Sequence, residues 1–165
     1  MRVSMRNIVM GCMAVGFGML LAASDVTAQE ASIQTPSKAA LQRLYTNYLT
    51  EEGYKPEVDD DGDVRFKREG RLYFIAVSDK DPEFFRVVLA NIWPIESEKE
   101  RVQVLVAADE SNAKSKVSKV FTVRDNVWVN IELFLARPED FKGVFKRAMS
   151  ALDTGVENFA KKMRE

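Results

Sequence analysis

The stretch VSKVFTVRDNVWVNIELFL, residues 117–135, is dominated by β-branched and aromatic residues and breaks once, at Arg124-Asp125-Asn126. It reads as two strands, Val117 to Val123 and Val127 to Leu135, joined by a turn short enough to force them antiparallel. Side chains alternate across a strand, so Val127, Val129, Ile131, Leu133 and Leu135 share one face of the second strand. Trp128, Asn130, Glu132 and Phe134 share the other. The first face is purely aliphatic and has to be covered. The second mixes aromatics with an amide and a carboxylate, an unusual blend for a surface that meets only water. Either a second layer of helix buries it, or it meets a peptide or another subunit, where aromatic side chains dominate binding energy.

Working outward, Pro138 is placed to open a helix, with Glu139 and Asp140 complementing its dipole. Phe141, Val144, Phe145, Ala148, Leu152, Val156, Phe159 and Met163 follow at helical spacing. Gly155 interrupts that stripe and reads as a weak point, costing about 1 kcal/mol relative to Ala. Upstream, residues 97 to about 115 carry two signals. The alternation of Val102, Val104 and Val106 suits a strand, while Ser97 followed by Glu100 is a capping box. The charged lead Glu98 to Arg101 and the continuation Ala107-Ala108 favour a helix. Phe84 to Trp93 is a further strand, ended by Pro94. Tyr54 to Val77 reads as three short strands, punctuated by Asp59 to Asp63 and by Glu69-Gly70. Ser37 caps a first helix carrying Leu41, Leu44, Tyr45, Tyr48 and Leu49, and Gly53 closes it. The expected order is α-β-β-β-β-α-β-β-α. This is an α+β fold: a single antiparallel-rich sheet with helices packed on one face.

The N-terminus has the features of a secretory signal. Arg2 and Arg6 precede an uncharged, mostly apolar stretch from Ile8 to Ala23, and Val26-Thr27-Ala28 offers small residues for cleavage after Ala28. Retention of the leader as an anchor is the structural rival. The expected organisation is a signal peptide over 1–28, a lead-in over 29–36 and one domain over 37–163. The setting is periplasmic or secreted, with no stable membrane insertion after cleavage. Removing the leader takes away Arg2, Arg6 and Asp25 and leaves 22 basic against 24 acidic residues, a balance that does not favour nucleic acid. The only cysteine, Cys12, lies in the leader, and the chain has no histidine. The domain therefore holds together by packing without disulfides, and lacks the usual neutral-pH proton shuttle and thiolate nucleophile.

Other chemistry is weakly signalled. Glu57, Asp59, Asp61 and Gly62 mimic the start of a calcium loop, but Arg68 stands where the bidentate glutamate belongs. A polar hairpin turn is the simpler reading, and neither metal nor cofactor is expected. The Ser/Lys clusters around Lys114 to Lys119 allow a Ser–Lys dyad formally, without a glycine-rich oxyanion turn beside them. Glycosidase-type carboxylate pairs have many candidates and none singled out. No catalytic residue is assigned.

The segments Tyr48 to Tyr54, Asp61-Gly62-Asp63, Phe84-Phe85-Arg86, Asn112, the hairpin Val120 to Glu132 and the amphipathic last helix together resemble the YbjN-type family, labelled bacterial sensory transduction regulators. The resemblance spans about residues 37–163. It implies a fold similar to the small dimeric chaperones of type III secretion, which grip extended segments of partner proteins, and it carries over no catalytic residues. An export signal sets this chain apart from cytoplasmic relatives. The leading expectation is an exported, non-catalytic module that binds a protein segment or itself, as a homodimer. Its contact surface is the face carrying Trp128, Asn130, Glu132 and Phe134, with Trp93 as a further candidate, or an exposed strand edge. The alternatives are a carboxylate-dependent hydrolase or carbohydrate-active protein, and a purely structural envelope protein.

Overall fold

In the computed structural model, the Ser37 hydroxyl accepts the Ala40 amide, starting α1 (Lys38–Glu51). Residues 35–165 are described; the expected signal peptide and its expected cleavage point lie outside the described residues. The chain continues through β1 (Glu57–Val58), β2 (Val64–Arg68), β3 (Arg71–Ile75) and β4 (Phe84–Pro94). It then forms α2 (Glu98–Lys114), β5 (Ser118–Val123), β6 (Asn126–Phe134) and α3 (Phe141–Met163). The strands make one antiparallel sheet in the order β1-β2-β3-β4-β6-β5. Among the described residues no helix is long and apolar enough to cross a membrane.

One face of the sheet presents Val64, Phe66, Tyr73, Ile75, Phe85, Val87, Leu89, Val127, Val129 and Ile131, all buried in a single core with residues of the three helices. Aromatic rings join the layers. Phe141 of α3 meets Tyr45 and Tyr48 of α1 edge-on at 4.9 Å, and Phe66 lies 5.9 Å from Phe145. A half-buried ion pair, Arg68 to both oxygens of Asp153 at 3.0 and 2.8 Å, ties β2 to α3.

The ambiguous middle segment is a helix, started as the capping box requires: the Ser97 hydroxyl accepts the Glu100 amide at 3.2 Å. The Glu100 carboxylate reaches back one residue further than the motif implies, accepting the Glu96 amide at 2.7 Å and the Trp93 indole N–H at 2.8 Å. Both bonds hold its carboxyl below the usual range. The strand-like alternation arose because Val102, Leu105 and Val106 lie on the solvent side of α2 and only Val104, Ala107, Ala108 and Ser111 are buried.

The last helix starts later than the proline suggests. Pro138–Asp140 is a separate 3-10 turn and α3 begins at Phe141. The Asp140 carboxylate is taken by Arg137 at 2.8 Å and makes no cap to the helix. Gly155 proves to be a packing requirement. A Cβ there would stand 2.6 Å from Ser118 Oγ and 2.9 Å from Ser118 Cβ, and the Gly155 carbonyl accepts the buried Ser111 hydroxyl. The acidic turn also uses its own carboxylates: Asp59 accepts the amides of Asp61 and Asp63, and Asp63 accepts that of Val77.

Candidate contact face

Among the described residues, the opposite face of the sheet carries no helix. Its side chains follow from the pairing register: Arg65, Phe74, Val88, Asn130 and Lys119 stand in one row across β2, β3, β4, β6 and β5. Arg86 opposite Glu132 and Phe84 opposite Phe134 form the next rows, and Trp128 opposite Phe121 lies on the other side. Val88 is fully buried yet stands apart from the helix-side core, covered by its own neighbours on this face.

Two aromatic groups flank a polar centre. Trp128 meets Phe74 edge-on at 5.9 Å, lies 6.4 Å from Phe121, and donates its indole N–H to Asn91 Oδ1 at 3.0 Å. At the other end Phe134 packs on Phe84 at 5.4 Å and is still 81 % exposed. Phe134 is the most exposed of the large hydrophobic side chains among the described residues. Between the groups, Glu132 bridges Lys119 and Arg86, the latter with Nε at 3.4 Å, and accepts the Asn130 amide at 2.8 Å. Burial alone would raise the Glu132 carboxyl, but those partners outweigh it and hold the group below the usual carboxylate range. Asn130 is fully buried, and its Oδ1 finds no donor. That orphaned oxygen sits at the middle of the uncovered face, where buried acceptors are normally paired.

Four of the five residues singled out from sequence thus come together: Trp128, Asn130, Glu132 and Phe134 lie on one uncovered face. Trp93 does not join them. β4 bulges between Leu89 and Trp93, with Asn91 at a φ of +55°, and the Trp93 indole turns to the helix side. There it packs edge-on to Phe159 at 6.1 Å and donates to Glu100. Sequence reading missed Phe74, Phe84, Arg86, Val88 and Phe121. Membership of a face depends on which strands are neighbours, and the alternation of Phe84, Arg86 and Val88 was the usable signal.

The two sheet edges differ. At the β5 edge Asn112 of α2 donates to the Val120 carbonyl at 3.0 Å and accepts its amide at 2.7 Å, pairing with that residue as a neighbouring strand would. At the other edge β1 pairs with β2 only at Glu57↔Arg65 and Val58↔Val64.

Comparison with known proteins agrees with this architecture. No curated protein matches the chain by sequence. The crystal structure of YbjN from E. coli is similar in fold, with a TM-score of 0.55 and 14% identity over 79% of this chain and 96% of that one. The profile of the family TY-Chap1, described as T3SS (YopN, CesT) and YbjN peptide-binding chaperone 1, matches residues 39–164. The chain therefore belongs to the TY-Chap1 family, with a YbjN-type domain and a chaperone-like fold.

Proposed function

We propose that this protein is an exported, non-catalytic module that binds an extended segment of another protein, or a second copy of itself, across the uncovered sheet face. The observation that carries the reading is that face: Trp128, Phe74, Phe121, Phe84 and Phe134 grouped around a polar centre, with Phe134 largely exposed. The family's description as peptide-binding chaperones supports a protein partner. Export rests on the leader, and places the encounter in the periplasm or outside the cell. Glu132, held ionised between Lys119, Arg86 and Asn130, is in the wrong state to be the general acid of a paired-carboxylate hydrolase.

The test is selection of short displayed peptides on the purified protein, followed by affinity measurement on Trp128→Ala and Phe134→Ala. Enriched peptides are expected to lose about tenfold or more in affinity, about 1.4 kcal/mol, with thermal stability nearly unchanged. Unaltered affinity in both folded variants overturns the face as the contact site. The N-terminal residue of the protein recovered from a periplasmic fraction tests export, with Gln29 expected.

A further inference from the structure

The β4 bulge makes a cleft that none of the described residues fills. Leu89 pairs with Val129 and Trp93 with Val127, so Ala90, Asn91 and Ile92 stand against Trp128 alone. The β3–β4 ladder ends at Tyr73↔Leu89, and Arg71 and Leu72 at the start of β3 have no partner on β4. The gap opens a cleft of about 490 Å³ that reaches α3, a volume inside the usual range of roughly 300–1,000 Å³ for binding pockets. Leu72, Phe74, Trp93, Val156 and Phe159 form apolar walls. Bulges recur beside functional sites because they re-aim side chains at the cost of ladder hydrogen bonds.

The polar groups at this cleft are few and uneven. Trp93 spends its indole N–H on Glu100, and Asn91 spends its Oδ1 on Trp128. Arg71 is exposed, has no ion-pair partner among the described residues, and no carboxylate lines the cleft. Its neighbour Arg68, by contrast, is bound to Asp153. An apolar recess with one unpaired guanidinium at its rim is complementary to an apolar group next to a carboxylate. Leu72 and Phe74 belong both to the cleft and to the uncovered face, so a chain lying on that face reaches the recess without leaving the surface.

We propose that this cleft is the anchor pocket of the contact face: it takes one large aliphatic or aromatic side chain of an extended partner segment, and Arg71 pairs with an acidic residue adjacent to it. The inference rests on the protein-binding reading above and names the residues that reading selects.

The test uses the purified protein and short synthetic probes in a Gly/Ser background: one carrying a Phe-Glu pair, one with Ala for the Phe, one with Gln for the Glu. Decanoate is added as a non-peptide probe of the same apolar-carboxylate chemistry. Binding is read by probe anisotropy and by tryptophan fluorescence, since Trp93 is a wall of the cleft and Trp128 is bonded to Asn91. The Phe-Glu probe is expected to bind, and each single replacement to weaken it by about fivefold or more. Arg71→Gln should abolish the preference for Glu over Gln. Ala160→Phe, which fills the cleft, should abolish binding; if it fails to fold, the exposed Arg71 variant carries the test.

Equal binding of the Glu and Gln probes, or a preference that survives Arg71→Gln, overturns the anchor. So does binding of decanoate with none of the peptides. If all probes fail while library-selected peptides bind and are lost in Trp128→Ala, the anchor falls and the face stands. If neither binds, both readings fall.

Discussion

Replacing Gly155 with alanine separates two physical arguments that predict opposite signs. By helix propensity alone, alanine should stabilise the interior of α3 by about 1 kcal/mol. The packing says otherwise. The new Cβ would lie 2.6 Å from Ser118 Oγ, 2.9 Å from Ser118 Cβ and 3.4 Å from Val129 Cγ1. Rotating the serine relieves only the first contact, because the two Cβ atoms are fixed to their backbones. To reach an ordinary separation α3 must retreat from β5 by about 0.5 Å, between the core residues Leu152 and Phe159 and against the Ser111 hydrogen bond to the Gly155 carbonyl. Overpacking of this kind costs about 1–3 kcal/mol, so after the propensity gain a net loss of up to about 2 kcal/mol remains, against the full gain at an unobstructed glycine. Urea unfolding followed by tryptophan fluorescence measures it, with Gly143→Ala in the same helix as the control, since nothing lies within 4 Å of a Cβ there. Gly143→Ala should be neutral or stabilising and Gly155→Ala destabilising. Adding Ser118→Gly, which removes both close atoms, should recover part of the loss as a coupling of about 1 kcal/mol. If Gly155→Ala is as stable as Gly143→Ala, the close approach of α3 to β5 is refuted.

Further predictions concern the sheet and its titrating groups. Asn112→Ala strips Val120 of two hydrogen bonds and should cost about 2 kcal/mol in urea unfolding or expose the β5 edge to self-association, visible by light scattering. The folded-state pKa of Glu132 is depressed, so its contribution to stability is present above the ordinary carboxylate range and is lost as pH falls through that lower value. Glu132→Gln should flatten this part of the acid unfolding curve. Burial, with a smaller contribution from Glu139, pushes the Tyr45 phenol up to about 12 from 10.0. The stability linked to it is intact below pH 10 and falls as pH rises toward 12, and phenolate absorbance should show Tyr45 ionising late, together with Tyr48 and Tyr73, whose phenols burial also raises.

The hairpin at 117–135 was readable because its alternation has a strict period of two and one clean break, and it separated the two faces correctly. Alternation could not say whether the helices would cover the mixed face as well. That depends on where α1 and α3 pack, which is decided by Tyr45, Tyr48, Phe141 and Phe145 meeting across the layers. Trp93 was grouped with the contact residues by composition, yet the bulge at Ala90–Ile92 separates it from Trp128. The one local hint of the bulge is Asn91, a residue that tolerates positive φ. The α2 segment was ambiguous for a physical reason, since an exposed apolar ridge erases the contrast on which periodicity depends. Gly155 was visible as an oddity, but its purpose is a contact with a strand 37 positions earlier and could not be read locally.

Chemical-shift mapping of a library-selected peptide titrated into the isotope-labelled protein tests the central claim most directly. The account predicts that perturbations concentrate on Phe74, Val88, Trp128, Asn130 and Phe134. Perturbations confined to the exposed ridge Val102, Leu105 and Val106 of α2, with the sheet face unmoved, would contradict it.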